Sequence, residues 1–133
     1  MSEKNVEILR QQYEAFDRRD RVEWLALRDE DCEVVTDRYW PEAGLISGDI
    51  AAWEFYTGIF EAFDQAPVGI PELVDAGTDK VLAHLRHEAR GSASGADVEV
   101  NYWVVVTFRS GRTVRDEWFA DRTEALEAAG LAE

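Results

Sequence analysis

The sequence predicts a single α+β domain, in which N-terminal helices pack on one face of a curved antiparallel β-sheet and a short helix closes the chain. Three observations predict it. Apolar residues near the N-terminus recur at helical spacing, two long segments of the second half alternate with period two, and Gly and Pro punctuate turns without any repeat or linker. A chain of 133 residues, 46% of them hydrophobic, forms one domain, 1–133, with enough core to enclose a ligand-sized cavity.

Val6, Leu9, Tyr13 and Phe16 line one face of a first helix, which the polar run 17–20 ends. Asp20 with Glu23 three residues later has the spacing of a capping box and opens a short second helix carrying Trp24, Leu25 and Leu27. Residues 32–37 read as a strand, 38–44 as a loop, and a third, aromatic-rich helix runs from Gly48 or Asp49 to about Phe63. From Lys80 to Arg90 the odd positions Val81, Ala83, Leu85, His87 and Ala89 share a face. From Val98 to Phe108 the even positions are all apolar or aromatic. Arg109-Ser110-Gly111 suits a three-residue hairpin loop with Gly111 in the left-handed position. That loop pairs Phe108 with Arg112 and Val104 with Asp116, and sends Val114, Asp116, Trp118 and Ala120 inward. Asp121 with Glu124 opens a last helix that ends at Gly130.

The 28 acidic against 14 basic residues, a net charge of −14, argue against nucleic acid and anionic membrane surfaces as partners. No apolar stretch reaches the ~20 residues of a membrane helix, and residues 1–7 lack a secretory core, so a cytoplasmic location is expected. Cys32 stands alone, which excludes an intrachain disulfide and favours a small buried apolar role. Asp29-Glu30-Asp31 lacks the glycine and trailing glutamate of a calcium loop and reads as a solvated turn. With His84 and His87 on opposite faces of one strand, no metal site is expected, and no motif implies a cofactor.

Two titratable side chains fall on otherwise apolar inner faces, His87 and Asp116. A carboxylate there needs a partner or a changed pKa, and a carboxylate beside a histidine is suited to moving a proton. They are therefore the candidate acid–base pair, with Tyr13 as a hydroxyl donor to a ligand oxygen. The bland alternative is a satisfied core network. On the catalytic reading, Asp116→Leu is expected to stabilise the fold. Tyr102, Trp118 and the third-helix aromatics, Phe60 among them, are candidates for the pocket wall, with Trp40 at its mouth. Trp103, Val105 and Phe119 point to the other sheet face, where large apolar groups suggest a homodimer interface.

The order and spacing of several loose motifs resemble the SnoaL-like branch of the nuclear transport factor 2 (NTF2)-like superfamily, relatives of the ketosteroid isomerases. These are Tyr13-Glu14-Ala15-Phe16, Trp40-Pro41-Glu42, Glu61-Ala62-Phe63, Val74-Asp75-Ala76-Gly77, Thr107-Phe108-Arg109-Ser110-Gly111 and Asp121-Arg122-Thr123-Glu124-Ala125-Leu126. The resemblance implies a cone of bent antiparallel sheet capped by helices, commonly a dimer through the outer sheet face, and a small apolar or amphipathic ligand. It places Tyr13 at the isomerase tyrosine, Val104 at the oxyanion aspartate, and Thr36 or Asp37 at the base. Val104 cannot donate a hydrogen bond, which argues against steroid isomerisation by that route. Polyketide-cyclase relatives, with an inner-face aspartate near a histidine, are more similar in kind, Asp116 and His87 being the analogous pair. Two functions stay open: proton-transfer catalysis of isomerase or cyclase type on an oxygen-bearing apolar substrate, and non-catalytic ligand binding or dimerisation.

Overall fold

The computed structural model describes residues 2–36, 44–61, 69–77, 79–90 and 97–131. The chain runs α1 (Ser2–Asp17), α2 (Arg21–Ala26), β1 (Arg28–Val35), β2 (Leu45–Ser47), α3 (Asp49–Glu61), β3 (Gly69–Asp75), β4 (Lys80–Arg90), β5 (Asp97–Arg109), β6 (Arg112–Phe119) and α4 (Arg122–Ala129). The cap signals act as the sequence predicts. Asp20 accepts the amide hydrogen of Glu23 at the start of α2, Asp121 accepts that of Thr123 at the start of α4, and Gly130 ends α4 in the left-handed region. The acidic run at 29–31 is a correction: it lies within β1 rather than in a turn.

Six strands form one open sheet in the order β2-β1-β6-β5-β4-β3. Its pairs are antiparallel except that β1 lies parallel to β6, Val34 opposite Asp116. Period-two patterning reveals a strand and its faces but not a partner some eighty residues away, so the sequence reading of an antiparallel sheet is corrected at this seam. The seam places β1 beside Asp116, and the site depends on it.

The hairpin between β5 and β6 also differs from expectation. Arg109 pairs with Arg112 across the two-residue turn Ser110-Gly111, whose φ values of 54° and 78° are both positive, as a type I′ turn requires. Phe108 then faces Thr113, whereas Thr107 faces Arg115, so Val114 is an extra residue bulged out of the ladder. Without the bulge a two-residue turn would set Asp116 opposite Val105, on the outer face. With it, Asp116 pairs with Val106 and Trp118 with Val104. Asp116 and Trp118 therefore point inward as expected, through a different register. Thr113 takes the buried place expected for Val114, which is half-buried, and Ala120 is exposed.

The inner face of the sheet and helices α1–α3 enclose the main core, which includes Leu9, Phe16, Trp24, Cys32, Val34 and Trp118. The outer face carries a second core, in which Leu82, Val105 and Phe119 pack under Ala125 and Ala129 of α4. Two of the three residues expected at a dimer interface, Val105 and Phe119, are thus covered within the chain. The reason is that the last helix folds back on them through Ala125 and Ala129. Trp103 stays half-buried, with the His84 ring stacked 4.8 Å from it.

Candidate functional site

The inward positions of β1 and β6 meet in an ion pair. Arg28 opens β1, and its Nη1 lies 3.0 Å from Oδ2 of Asp116, with the two side chains only 2% and 5% exposed. Neither charge could be left in such a place without the other. The same Oδ2 accepts a hydrogen bond of 2.5 Å from the Tyr56 hydroxyl of α3, which in turn accepts one of 3.0 Å from the Trp118 indole. Gln12 of α1 closes the other side: its Oε1 accepts from Arg28 Nη1 at 3.2 Å, and its amide nitrogen donates to Thr113 Oγ1 at 2.5 Å and to the Leu27 carbonyl. Arg28 also lies over the Trp24 ring, 4.5 Å from its centroid. Aromatic side chains pack the surroundings, Tyr102 stacking on Trp118 at 4.5 Å and Phe16 meeting Trp53 edge-on at 5.5 Å.

Among the described residues, three polar atoms of the pair are buried without a hydrogen-bond partner: Asp116 Oδ1, Arg28 Nε and Arg28 Nη2. Both residues line a cavity of about 20 Å³ together with Leu9, Tyr13, Phe16, Tyr56 and Tyr102. That volume, counted as the space open to a water's centre, admits about one water.

Charge and burial set the protonation of the groups around the pair. Burial alone would lower the Arg28 pKa, but the Asp116 carboxylate, helped by Tyr56 and Cys32, lifts it above its ordinary value. Burial raises the Tyr13 and Tyr56 phenols above 10, and the negative charge of Asp116 raises both further, against a smaller opposing pull from Arg28. Burial likewise raises the Cys32 thiol, which matches the inert role expected for it. The two phenols act on stability in one direction. They are protonated in the fold where the unfolded chain would ionise, so their contribution is complete below about pH 10 and is lost as pH rises above it. We expect the folding constant to fall about tenfold per pH unit for each phenol above about pH 10, with Tyr13→Phe removing one of the two increments. Denaturant midpoints taken from about pH 9 to pH 11 measure it, and a flat profile would show that the phenols are solvated.

The expected site residues are distributed as follows. Asp116 and Tyr13 share the cavity, as do Tyr102 and Val104. Trp118 stands behind Tyr102 and Tyr56, and Thr36 is fully buried with its hydroxyl on the Gly44 carbonyl. Trp40, Asp37 and the side chain of Phe60 lie outside the described residues, as does the side chain of His87. The ladder nonetheless separates the proposed pair. His87 is opposite Val100 and Asp116 opposite Val106, six residues along β5, or about 20 Å of strand. The partner of Asp116 is therefore Arg28 rather than His87. The parallel β1–β6 seam brings Arg28 there, and no local pattern announces that seam.

Arg28 and the Tyr56 hydroxyl are what sequence reasoning missed. A partial signal for Arg28 exists, since the apolar even positions Cys32 and Val34 mark the inward face of β1 on which Arg28 also lies, with the exposed Glu30 interrupting it. The acidic run between them hides it. Among the described residues no group of three His, Cys, Asp or Glu side chains could hold a metal ion. No described helix is long and apolar enough to cross a membrane.

No curated protein is significantly similar to this chain in sequence. Among solved structures, the chain resembles a putative SnoaL-like polyketide cyclase from Jannaschia sp. CCS1, with a TM-score of 0.75 at 18% identity over 100% of this chain and 95% of that one. It is also similar to TerC co-crystallised with polyporic acid, with a TM-score of 0.71 at 21% identity over 96% and 98% of the two chains. A third is a Mycobacterium tuberculosis protein in complex with estradiol-17beta-hemisuccinate, with a TM-score of 0.70 at 17% identity over 90% and 95%. Identities this low establish the fold and nothing finer. The SnoaL-like domain family matches residues 9–116, from the middle of α1 to the aspartate of the buried ion pair. With that match spanning most of the chain and the same helices-on-sheet cone in the structure, the protein belongs to the SnoaL-like domain family.

Proposed function

We propose that the protein binds a small, largely apolar molecule by its oxygen-bearing end at the Arg28–Asp116 pair and moves a proton there. The single observation that carries this reading is the unpartnered Asp116 Oδ1 on a cavity whose walls, apart from Arg28 and Gln12, are apolar and aromatic. A buried ion pair contributes little to stability compared with apolar residues of the same volume, so its persistence with open valences points to a ligand. In this scheme Asp116 Oδ1 takes and returns the proton. Arg28 balances the carboxylate, and Tyr56 orients it through Oδ2. Tyr13, kept protonated by its burial, donates to the oxygen on which negative charge develops. Tyr102 and Val104 flank the ligand's apolar body. The neighbours crystallised with polyporic acid and with a steroid hemisuccinate support a small-molecule ligand in this fold.

The experiment is proton exchange. In heavy water the protein is expected to speed exchange of the hydrogens next to the carbonyl of cyclohexanone, and Asp116→Asn to lower that rate by roughly 10²-fold or more. Equal exchange by both proteins would leave the non-catalytic ligand-binding or dimerisation module. Pairing of two chains, in our reading, uses the outer face around Trp103, since α4 already covers Val105 and Phe119.

A further inference from the structure

We propose that the polar end of the ligand is a carboxylic acid, taken up together with one proton; this rests on the reading of the cavity as a ligand site. Arg28 spends Nη1 on Asp116 Oδ2 and on Gln12 Oε1. The two nitrogens that meet no oxygen acceptor among the described residues, Nε and Nη2, are those of a single edge of the planar guanidinium, with the Cys32 thiol as the other neighbour of this group. Their N–H bonds run side by side, the arrangement that two carboxyl oxygens accept together. The third unpartnered atom, Asp116 Oδ1, is an acceptor. A group that completes all three atoms therefore supplies two acceptors and one proton. A carboxylic acid does so, its two oxygens on the Arg28 edge and its proton on the line to Asp116 Oδ1.

Other end groups complete less. A ketone accepts but brings no proton for Oδ1. A carboxylate without its proton sets two anions against each other, and an amine adds a second cation beside Arg28. A single water also satisfies the three atoms, and the experiment separates it from the acid. Beyond the head group, Leu9, Phe16, Leu85 and Val104 line the same cavity, which at about 20 Å³ has to widen to take the body of the molecule.

The proton balance is explicit. Above its own pKa the free acid is a carboxylate, so binding consumes one proton from solvent, which then sits between the ligand oxygen and Asp116. The groups that face Asp116 are Arg28 and Cys32 from β1, Tyr56 from α3 and Tyr13 from α1. The phenols and the thiol have raised pKa values and Arg28 stays charged, so none of the four supplies this proton near neutrality.

The test compares isobutyrate with its isostere 3-methylbutan-2-one on the full chain, reading the Arg28 Nε–H resonance and the heat of binding in buffers of different ionisation enthalpy. Isobutyrate is expected to shift that resonance, to take up one proton, and to bind about tenfold more weakly for each pH unit of increase above about pH 6. In Asp116→Asn the amide nitrogen replaces the orphaned oxygen and donates to the carboxylate directly. Isobutyrate should then bind that variant without proton uptake, and its affinity should no longer change with pH. Binding of the ketone as tight as the acid would overturn the acid assignment and keep the ligand site. Failure of both probes to move the resonance, with a water alone at the pair, would overturn the assignment and the ligand site together.

Discussion

Replacing Asp116 by Leu alone should destabilise the protein by about 3–5 kcal/mol, because the change strands the Arg28 guanidinium in the core without its counter-ion. Among the described residues Asp116 is the carboxylate paired with Arg28; its other neighbours include the Gln12 carbonyl oxygen, the Cys32 thiol and the faces of Trp24 and Tyr56. The double change Arg28→Met with Asp116→Leu should recover that loss and reach a stability equal to the parent or up to about 4 kcal/mol above it. Denaturant unfolding of the parent, both single variants and the double variant closes the cycle, and the coupling between the two positions should exceed about 2 kcal/mol. A single Asp116→Leu variant more stable than the parent would mean that the ion pair does not hold in solution. The sequence alone leads to that opposite expectation, since it shows an aspartate on an apolar face and gives no sign of its arginine.

Trp118→Ala should cost about 3–5 kcal/mol, the range for removing a buried tryptophan. Its ring stacks on Tyr102 at 4.5 Å and on Tyr56 at 5.6 Å, and it is 2% exposed. Its indole N–H also donates to the Tyr56 oxygen that binds Asp116. Trp118→Phe keeps part of the stacking but loses that donor and some of the buried ring volume, so its cost should be smaller, about 1–3 kcal/mol. Val22, 80% exposed on α2, supplies the control: Val22→Ala should change stability by less than about 0.5 kcal/mol. Denaturant midpoints at one pH rank the three, and a Trp118→Ala loss no larger than that of Val22→Ala would remove Trp118 from the core.

The two sets of variants probe different links between sequence and structure. Trp118 is buried because β6 alternates and its inward residues meet the helices, which is a local property of the strand. The Arg28–Asp116 pair forms because strands from opposite ends of the chain lie side by side in parallel, Val34 opposite Asp116. The first depends on pattern and the second on topology. Only the second carries the proposed chemistry.

Much of the architecture was legible in the residues. Helical spacing in α1, the aspartate caps of α2 and α4, and the two-residue alternation of β4 and β5 are consequences of interactions within a few positions of the chain. The inward direction of Asp116 and Trp118 was also read correctly, although the turn was not. Ser110 adopts a positive φ, which its side chain disfavours and a two-residue hairpin requires, and the extra residue Val114 then restores the face that the shorter turn would have reversed. Turn length and bulge position compensate each other, so the alternation constrains their sum rather than each one.

What the tertiary structure alone decided is which groups meet. It set Arg28 rather than His87 on Asp116, gave that carboxylate the Tyr56 hydroxyl, folded α4 over Val105 and Phe119, and reduced the cavity to about 20 Å³. Each of these is a contact between segments far apart in sequence. The sequence determines a strand's faces through its own alternating side chains, and it specifies a distant partner only through the packing of the whole domain.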